Sequence, residues 1–473
     1  MQTYDKLYIN GEWRQGRSSA VLENVNSYTN EVMYTYNAAS QEDVDDAYAA
    51  ARAAQPAWAK TQPRDKQKLL VNLYRAMEEM REEIMEELRD EGGSTVPKAE
   101  FEYEFITDVA RNAVNFPLMM NGKIMPSNNG QDNYVFRKPR GVVSVIAPWN
   151  FPMALALCAV IPAVATGNSV VLKPASDTPG SGALICKLFE RAGFPKGLVN
   201  YVAGKGSEIG DYFVAHPESD FIYFTGSTAV GKHLAKIAAE HIKPVSLELG
   251  GNNVMIVLKD ADMEKAVNVG IPSMLFNQGQ VCMSLNRIVV VKERYDEFVE
   301  AFTNAVKAVK FGDPSDPEVL VGPSINTKQA QDVMDIMERT VAAGGRVVLK
   351  GERHGNVVSP WIVADCTNDM PACKDEIFGP AVTIIKAEDE EDAIRICNDT
   401  NYGLSNSIIT EDLYHGMEVA QRIETGMSHI NAMSVQDEAH VMFGGAKESG
   451  LGRTNGEWVV EKFTEDQWIS VTK

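Results

Sequence analysis

Four short β-branched runs govern what this chain can fold into: "GVVSVIAP" from Gly141, "NSVVLKP" from Asn168, "GLVNYVAG" from Gly197 and "DFIYFTG" from Asp220. Each closes on Gly or Pro, and helical patterns occupy 153–166, 177–192, 206–215 and 228–241. Strands alternating with helices imply an α/β fold with a parallel, doubly wound sheet. Ligands of such sheets sit at the carboxyl ends of the strands. The alternation continues beyond "PVSLELGG", with strands expected near 253–257, 287–292, 346–349 and 381–385 and helices at 294–309 and 327–342. A second α/β domain therefore begins near Gly250.

The 473 residues exceed one ordinary core, so two or three domains are expected. Ahead of the strands, "ASQEDVDDAYAAARAAQPAW" opens a helix on Ser40, and 64–90 reads as a second, acidic helix ending at Gly92-Gly93. Residues 119–140 fit neither pattern and suggest an arm or hairpin, and "QWISVTK" reads as a last strand in search of an edge. With 65 acids against 45 bases the formal charge is −20, which disfavours nucleic acid and anionic membranes as partners. The longest uncharged stretch, 151–168, contains Pro152, Pro162 and Gly167 and fits a buried helix better than a membrane span. No basic start followed by an apolar run opens the sequence, and the six cysteines form no C-x-x-C pair. A reduced cytoplasmic protein without a structural metal is expected.

The stretch "FTGSTAVGKH", from Phe224 to His233, matches a nucleotide-triphosphate loop except at its end, where His233 replaces the hydroxyl that binds magnesium. A strand, a turn and a helix start still present free N–H groups to phosphate. "GKGSEIG" spaces its glycines as G-x-G-x-x-x-G, which is not the dinucleotide fingerprint. An ordinary strand–helix connection is the competing reading.

Three residues bear chemistry. Cys282 follows Gly279 and Gln280 in "FNQGQVCMS", a polar setting unlike that of a packing cysteine and suited to a nucleophile. Glu248 ends the "SLELGG" strand, where burial raises a carboxylate pKa toward that of a general base. Asn150 in "APWNFP" can donate to an oxyanion, or simply make a turn. Nucleophile, base and oxyanion donor together suggest acyl transfer through a thioester.

Taken together, "APWNFP", "VLKPAS", "FTGSTAVGK", "LELGG", "NQGQVC", "EIFGP" and "FGGAKESGLGR" resemble the aldehyde dehydrogenase superfamily in order and spacing over essentially the whole chain. The resemblance implies a dinucleotide-binding domain (1–118 and 141–249), a catalytic domain (250–445) and bridging segments (119–140 and 446–473) used in a homodimer or dimer of dimers. It implies Cys282 as nucleophile, Asn150 with the Cys282 N–H as oxyanion donors, and Glu248 as activator of the hydrolytic water. NAD or NADP would be held by Trp149, Lys173, Ser176, Gly206, Thr225, Gly226, Ser227, Leu249, Glu376 and Phe378. Ser176 stands where NAD-specific members often carry Glu, so no carboxylate repels a 2′-phosphate and NADP use is expected.

The substrate would be a small aldehyde walled by Phe151, Met153, Leu157, Cys158, Val281, Met283 and Phe443. None is cationic, and a buried cation is retained only for an anionic partner, so an uncharged aldehyde is expected. The tail "NGEWVVEKFTEDQWISV" is most similar to the benzaldehyde and vanillin branch. Semialdehyde or aliphatic aldehyde oxidation, release to CoA, and a non-catalytic nucleotide-binding protein are the competing readings.

Overall fold

The computed structural model describes residues 3–472. Its first sheet has eight strands, in the order Glu12–Arg14, Leu7–Ile9, Val199–Tyr201, Ser169–Lys173, Val142–Ile146, Phe221–Thr225, Val245–Glu248 and Gly450–Leu451. The middle five run parallel, and the flanking strands pair antiparallel. Every residue of Val142–Ile146, Ser169–Lys173 and Phe221–Thr225 is buried, as helices on both faces require. Chain order reverses between Val142–Ile146 and Phe221–Thr225. A crevice forms at that point, and the "APWN" and "TGS" turns open into it.

The second sheet runs Arg346–Leu349, Trp361–Ala364, Ala381–Ala387, Leu285–Val291, Asn253–Val257, Ser405–Ile409 and Met427–Ile430. Its strands are parallel except for the first pair. Only Leu249 to Asn252 separate Glu248, at the carboxyl end of its strand, from Asn253, at the amino end of the next. Cys282 likewise precedes Leu285–Val291. The two sheets therefore face one another across a seam, with Glu248 on one lip and Cys282 on the other.

Three local outcomes differ from the sequence expectations. The helix over 64–90 is two helices, Pro63–Glu79 and Arg81–Asp90, parted at Met80. The 206–215 segment opens with a wide turn at Gly206–Gly210, and its helix covers only Asp211–Ala215. Residues 446–463, expected in the bridging segment, instead complete the first sheet through Gly450–Leu451 and its core through Val459, Val460 and Phe463. The arm consists of Lys123–Met125, Asp132–Pro139 and Thr464–Val471, an antiparallel sheet in that spatial order. Among the described residues no helix is long and apolar enough to cross a membrane.

Candidate active site

A cavity of about 270 Å³ opens on the seam, lined by Pro148, Trp149, Asn150, Leu155, Thr225, Gly226, Ser227, Glu248, Leu249, Gly250, Cys282, Gln329, Glu376 and Phe378. Ten of the residues singled out in the sequence thus meet in one place.

The loop that precedes Cys282 is held in a conformation that side chains resist. Asn277, Gln278 and Gly279 take φ of 51°, 56° and 71° in succession. Left-handed non-glycine residues cost about 1–3 kcal/mol each unless their surroundings over-determine them. Buried amides do so here. Asn277 Nδ2 donates to the carbonyls of Asn150 (3.1 Å) and Gln280 (3.2 Å), Gln278 Nε2 donates to Pro323 O (3.0 Å), and Gln280 Oε1 accepts from Ile325 N (2.9 Å). A Cβ on Gly279 would lie 2.0 Å from the Gly379 carbonyl, so the "NQGQVC" turn needs its glycine. Asn253 Nδ2 then fixes the backbone past the turn, donating to Cys282 O at 2.7 Å and Ser284 O at 2.8 Å.

Asn150 follows the strand Val142–Ile146, and its Nδ2 donates one hydrogen to Gln280 O at 3.0 Å. The amide's second hydrogen remains for a ligand. The helix behind it, Ala154–Ala165, has its first N–H groups capped from outside: Glu102 Oε1 accepts from Met153 N and Ala154 N, both at 2.9 Å. Lys98, fully buried, pairs with the other Glu102 oxygen and lies 4.6 Å over the Phe151 ring. A buried ion pair thereby anchors the element that places Asn150.

Glu248 is buried, and neither carboxylate oxygen has a hydrogen-bond partner among the described residues. Burial pushes its pKa up to about 8, opposed by the charges of Lys462 and Arg453. The Cys282 thiol is held well above its ordinary value by burial, then by the negative fields of Glu376, Glu248 and Asp437. At neutral pH it is a thiol and needs a base.

The dinucleotide half of the site fits its expected guest. Ser227 caps the helix Thr228–Glu240 by accepting from Val230 N at 3.4 Å, leaving the first N–H groups facing the cavity. Lys232 turns away to pair with Glu448 at 2.7 Å, and His233 pairs with Asp211 at 2.9 Å, so neither serves a triphosphate. Glu376, its pKa raised to about 7 by burial, accepts from Gly251 N at 3.0 Å. A Cβ on Gly250 would lie 2.4 Å from its other oxygen, so glycine there admits the carboxylate. Phe378 adopts φ 51°, its carbonyl held by Gln329 Nε2 at 2.9 Å, and its ring meets Trp149 edge-on at 5.3 Å. Lys173 is buried with a pKa lowered to about 8 by desolvation, and its Nζ donates only to Pro174 O at 3.2 Å among the described residues. A buried ammonium without a carboxylate suits a ribose or phosphate oxygen.

Not every expected residue lines this cavity. Ser176 and Gly206 do not line this cavity; Ser176 lies in a separate open groove with Asp177 and Lys205, and Gly206 is exposed. The expected substrate walls Phe151, Met153, Leu157, Cys158, Val281, Met283 and Phe443 are all buried in the first core, and none lines the cavity. Leu155 does so instead. Sequence reasoning also missed Asn253, Asn277 and the Lys98–Glu102 pair. The adjoining asparagines of "LELGGNN" were a usable signal, because buried amides are retained where they bond.

Residues 13–469 match the aldehyde dehydrogenase family. A benzaldehyde dehydrogenase, YfmT, of Bacillus subtilis is 44% identical over 99% of this chain and 97% of its own. A vanillin dehydrogenase of Corynebacterium glutamicum is 43% identical over 99% and 98%. Among solved structures, a NAD-dependent benzaldehyde dehydrogenase of Corynebacterium glutamicum superposes with a TM-score of 0.92 at 40% identity, covering 100% of this chain and 97% of that one. Full-length agreement at this identity, on an α/β fold that gathers a cysteine, a buried glutamate and an asparagine amide around one cavity, makes this chain an oxidoreductase of the aldehyde dehydrogenase family.

Proposed function

We propose that this enzyme oxidises an uncharged, aromatic aldehyde to its carboxylic acid, with NAD or NADP as acceptor. The observation that carries the reading is the meeting of Cys282, Asn150 and Glu248 with the start of the helix Thr228–Glu240 in one cavity. Cys282 Sγ gives up its proton to solvent water and bonds to the aldehyde carbon, and the resulting oxyanion takes hydrogen bonds from Asn150 Nδ2 and the Cys282 N–H. The dinucleotide, when bound, supplies the hydride acceptor that turns the thiohemiacetal into a thioester. Glu248 then removes a proton from water, the water oxygen bonds to the acyl carbon, and the carbon–sulfur bond breaks. Trp149, Phe378 and Glu376 bind the nicotinamide end; Lys173 and the Ser227 turn bind the ribose and phosphates. In the groove that holds Ser176 and Lys205, the uncharged serine offers no carboxylate at that position to repel a 2′-phosphate, so NADP serves beside NAD.

The aromatic assignment rests on two supports. No lysine or arginine lines the cavity to neutralise a carboxylated substrate. The named relatives act on benzaldehyde and vanillin. We assign residues 1–118 and 141–249 to dinucleotide binding, 250–445 to catalysis, and the arm to a homodimer or dimer of dimers in a reducing cytoplasm, where six free cysteines persist.

Reduced-dinucleotide formation tests the reading. Cys282→Ala abolishes turnover. Glu248→Ala gives a hydride burst of about one equivalent per site and then stalls, as expected when the thioester forms but is not hydrolysed. Benzaldehyde is turned over far faster than succinic semialdehyde; equal rates on the two would overturn the uncharged-pocket argument.

A further inference from the structure

Beneath the cavity, on the face of the first sheet that bears Glu248, buried polar groups gather without partners. Tyr223 pairs in register with Ser246, and Thr225 with Glu248, so these four side chains share one face of adjacent parallel strands. Thr225 Oγ1, Ser246 Oγ, Thr454 Oγ1, Lys462 Nζ and both Glu248 oxygens are shielded from solvent and lack hydrogen bonds among the described residues. The Tyr223 hydroxyl faces Thr225 and Thr454. The Lys462 ammonium stands 4.9 Å over the Tyr223 ring. Gly452, at φ +101°, lies against the cluster: a Cβ there would lie 3.2 Å from Ser246 Oγ and 3.8 Å from Lys462 Cε. So many neighbouring orphans form a buried polar cluster, whereas buried hydroxyls and charges are otherwise satisfied by protein or ordered water.

We propose that Lys462 is a positioning residue for Glu248: its ammonium, in this buried polar cluster, favours ionisation of the carboxylate against the cost of its burial and turns it toward the thioester. The inference rests on the reading of Glu248 as the hydrolytic base. The other charges facing Glu248 are committed elsewhere. Arg453 Nη1 donates to the carbonyls of Gly445 and Gly452, both at 2.8 Å. Asp437 accepts from Asn455 Nδ2 at 2.7 Å, and its negative charge acts against ionisation of Glu248. The remaining titratable neighbours, Cys158, Cys282 and Tyr223, are neutral near pH 7, each held above its ordinary value by burial. Lys462 alone supplies an uncommitted positive charge, and its cation–π contact fixes it without neutralising it.

The test is the pH profile of steady-state turnover beside the hydride burst, in wild type, Lys462→Met, Lys462→Arg and Glu248→Gln. A base works when deprotonated, so removing the cation moves the acid limb to higher pH. Turnover below the limb then falls about tenfold for each unit moved. The burst amplitude stays intact, and Lys462→Arg returns the limb toward its wild-type position. Lys462→Gln is read by the same criteria if the methionine variant does not fold. A limb unmoved in the charge-removing variant, or a burst lost in parallel with turnover, overturns the proposal. Wild-type turnover in Glu248→Gln would instead overturn the underlying assignment of the base, an outcome distinct from either.

Discussion

A carboxylic acid that must ionise inside a protein sets the terms at the level of single residues. Burial raises the folded-state pKa of Glu248 to about 8, whereas in the unfolded chain it ionises near its ordinary value of 4.5. Below 4.5 both states hold the proton. Between the two values only the folded state does, so stability falls as pH rises through that window. Glu248→Gln removes this slope, and its melting temperature should exceed that of wild type at pH 8 while matching it at pH 4.5. Equal melting temperatures at both pH values would mean that the glutamate is solvated rather than buried. Cys282, Glu248 and Asn150 stood out in the sequence because each lies within three residues of glycine or proline, where packing alone gives no reason for its chemistry. The substrate walls were not. The helix Ala154–Ala165 is apolar on every side, so no periodicity tells which residue faces a cavity. Met153 and Leu157 point into the core, and Leu155 reaches the site.

At the level of elements, the site is aimed by parts that carry no motif. The helix Val96–Ala113, which the sequence reading left unassigned, brings Lys98 and Glu102 beneath the "APWN" turn. Removing one member of such a pair leaves a buried charge or open N–H groups. Glu102→Ala should therefore destabilise the protein by about 3–5 kcal/mol in chemical denaturation and lower turnover by misplacing Asn150. A loss below 1 kcal/mol would show that the helix start is capped without it. The β-branched runs of the first sheet were predictable because burial on both faces leaves them uniformly apolar. The strands Trp361–Ala364, Ser405–Ile409 and Met427–Ile430 escaped notice for the opposite reason. Trp361–Ala364 is only four residues long, and in the other two Ser405, Asn406, Ser407, Ser428 and His429 interrupt the apolar pattern. Their polar side chains bond inside the fold, as Asn406 Nδ2 does to Ser428 Oγ at 2.7 Å.

Across the whole molecule, the arm is the feature most at odds with an isolated chain. Ile124, Phe136 and Trp468 are 80%, 47% and 64% exposed on it, and Thr464–Val471 is a strand with an open edge. Exposed apolar side chains beside an unpaired edge favour pairing with a second copy. Ile124→Glu with Trp468→Glu should shift sedimentation to a smaller species while leaving the far-ultraviolet spectrum unchanged; an unaltered mass would place the contact elsewhere. The sequence by itself determined the parallel α/β architecture and singled out Cys282, Glu248 and Asn150, since burial period and turn chemistry are local properties that a string of residues records. Only the tertiary structure decided that Leu155 rather than its neighbours faces the cavity, that Lys462 near the C-terminus lies close to Glu248, and that residues 446–463 close the first sheet. Those outcomes depend on which distant surfaces exclude water from one another, and sequence spacing holds no measure of that.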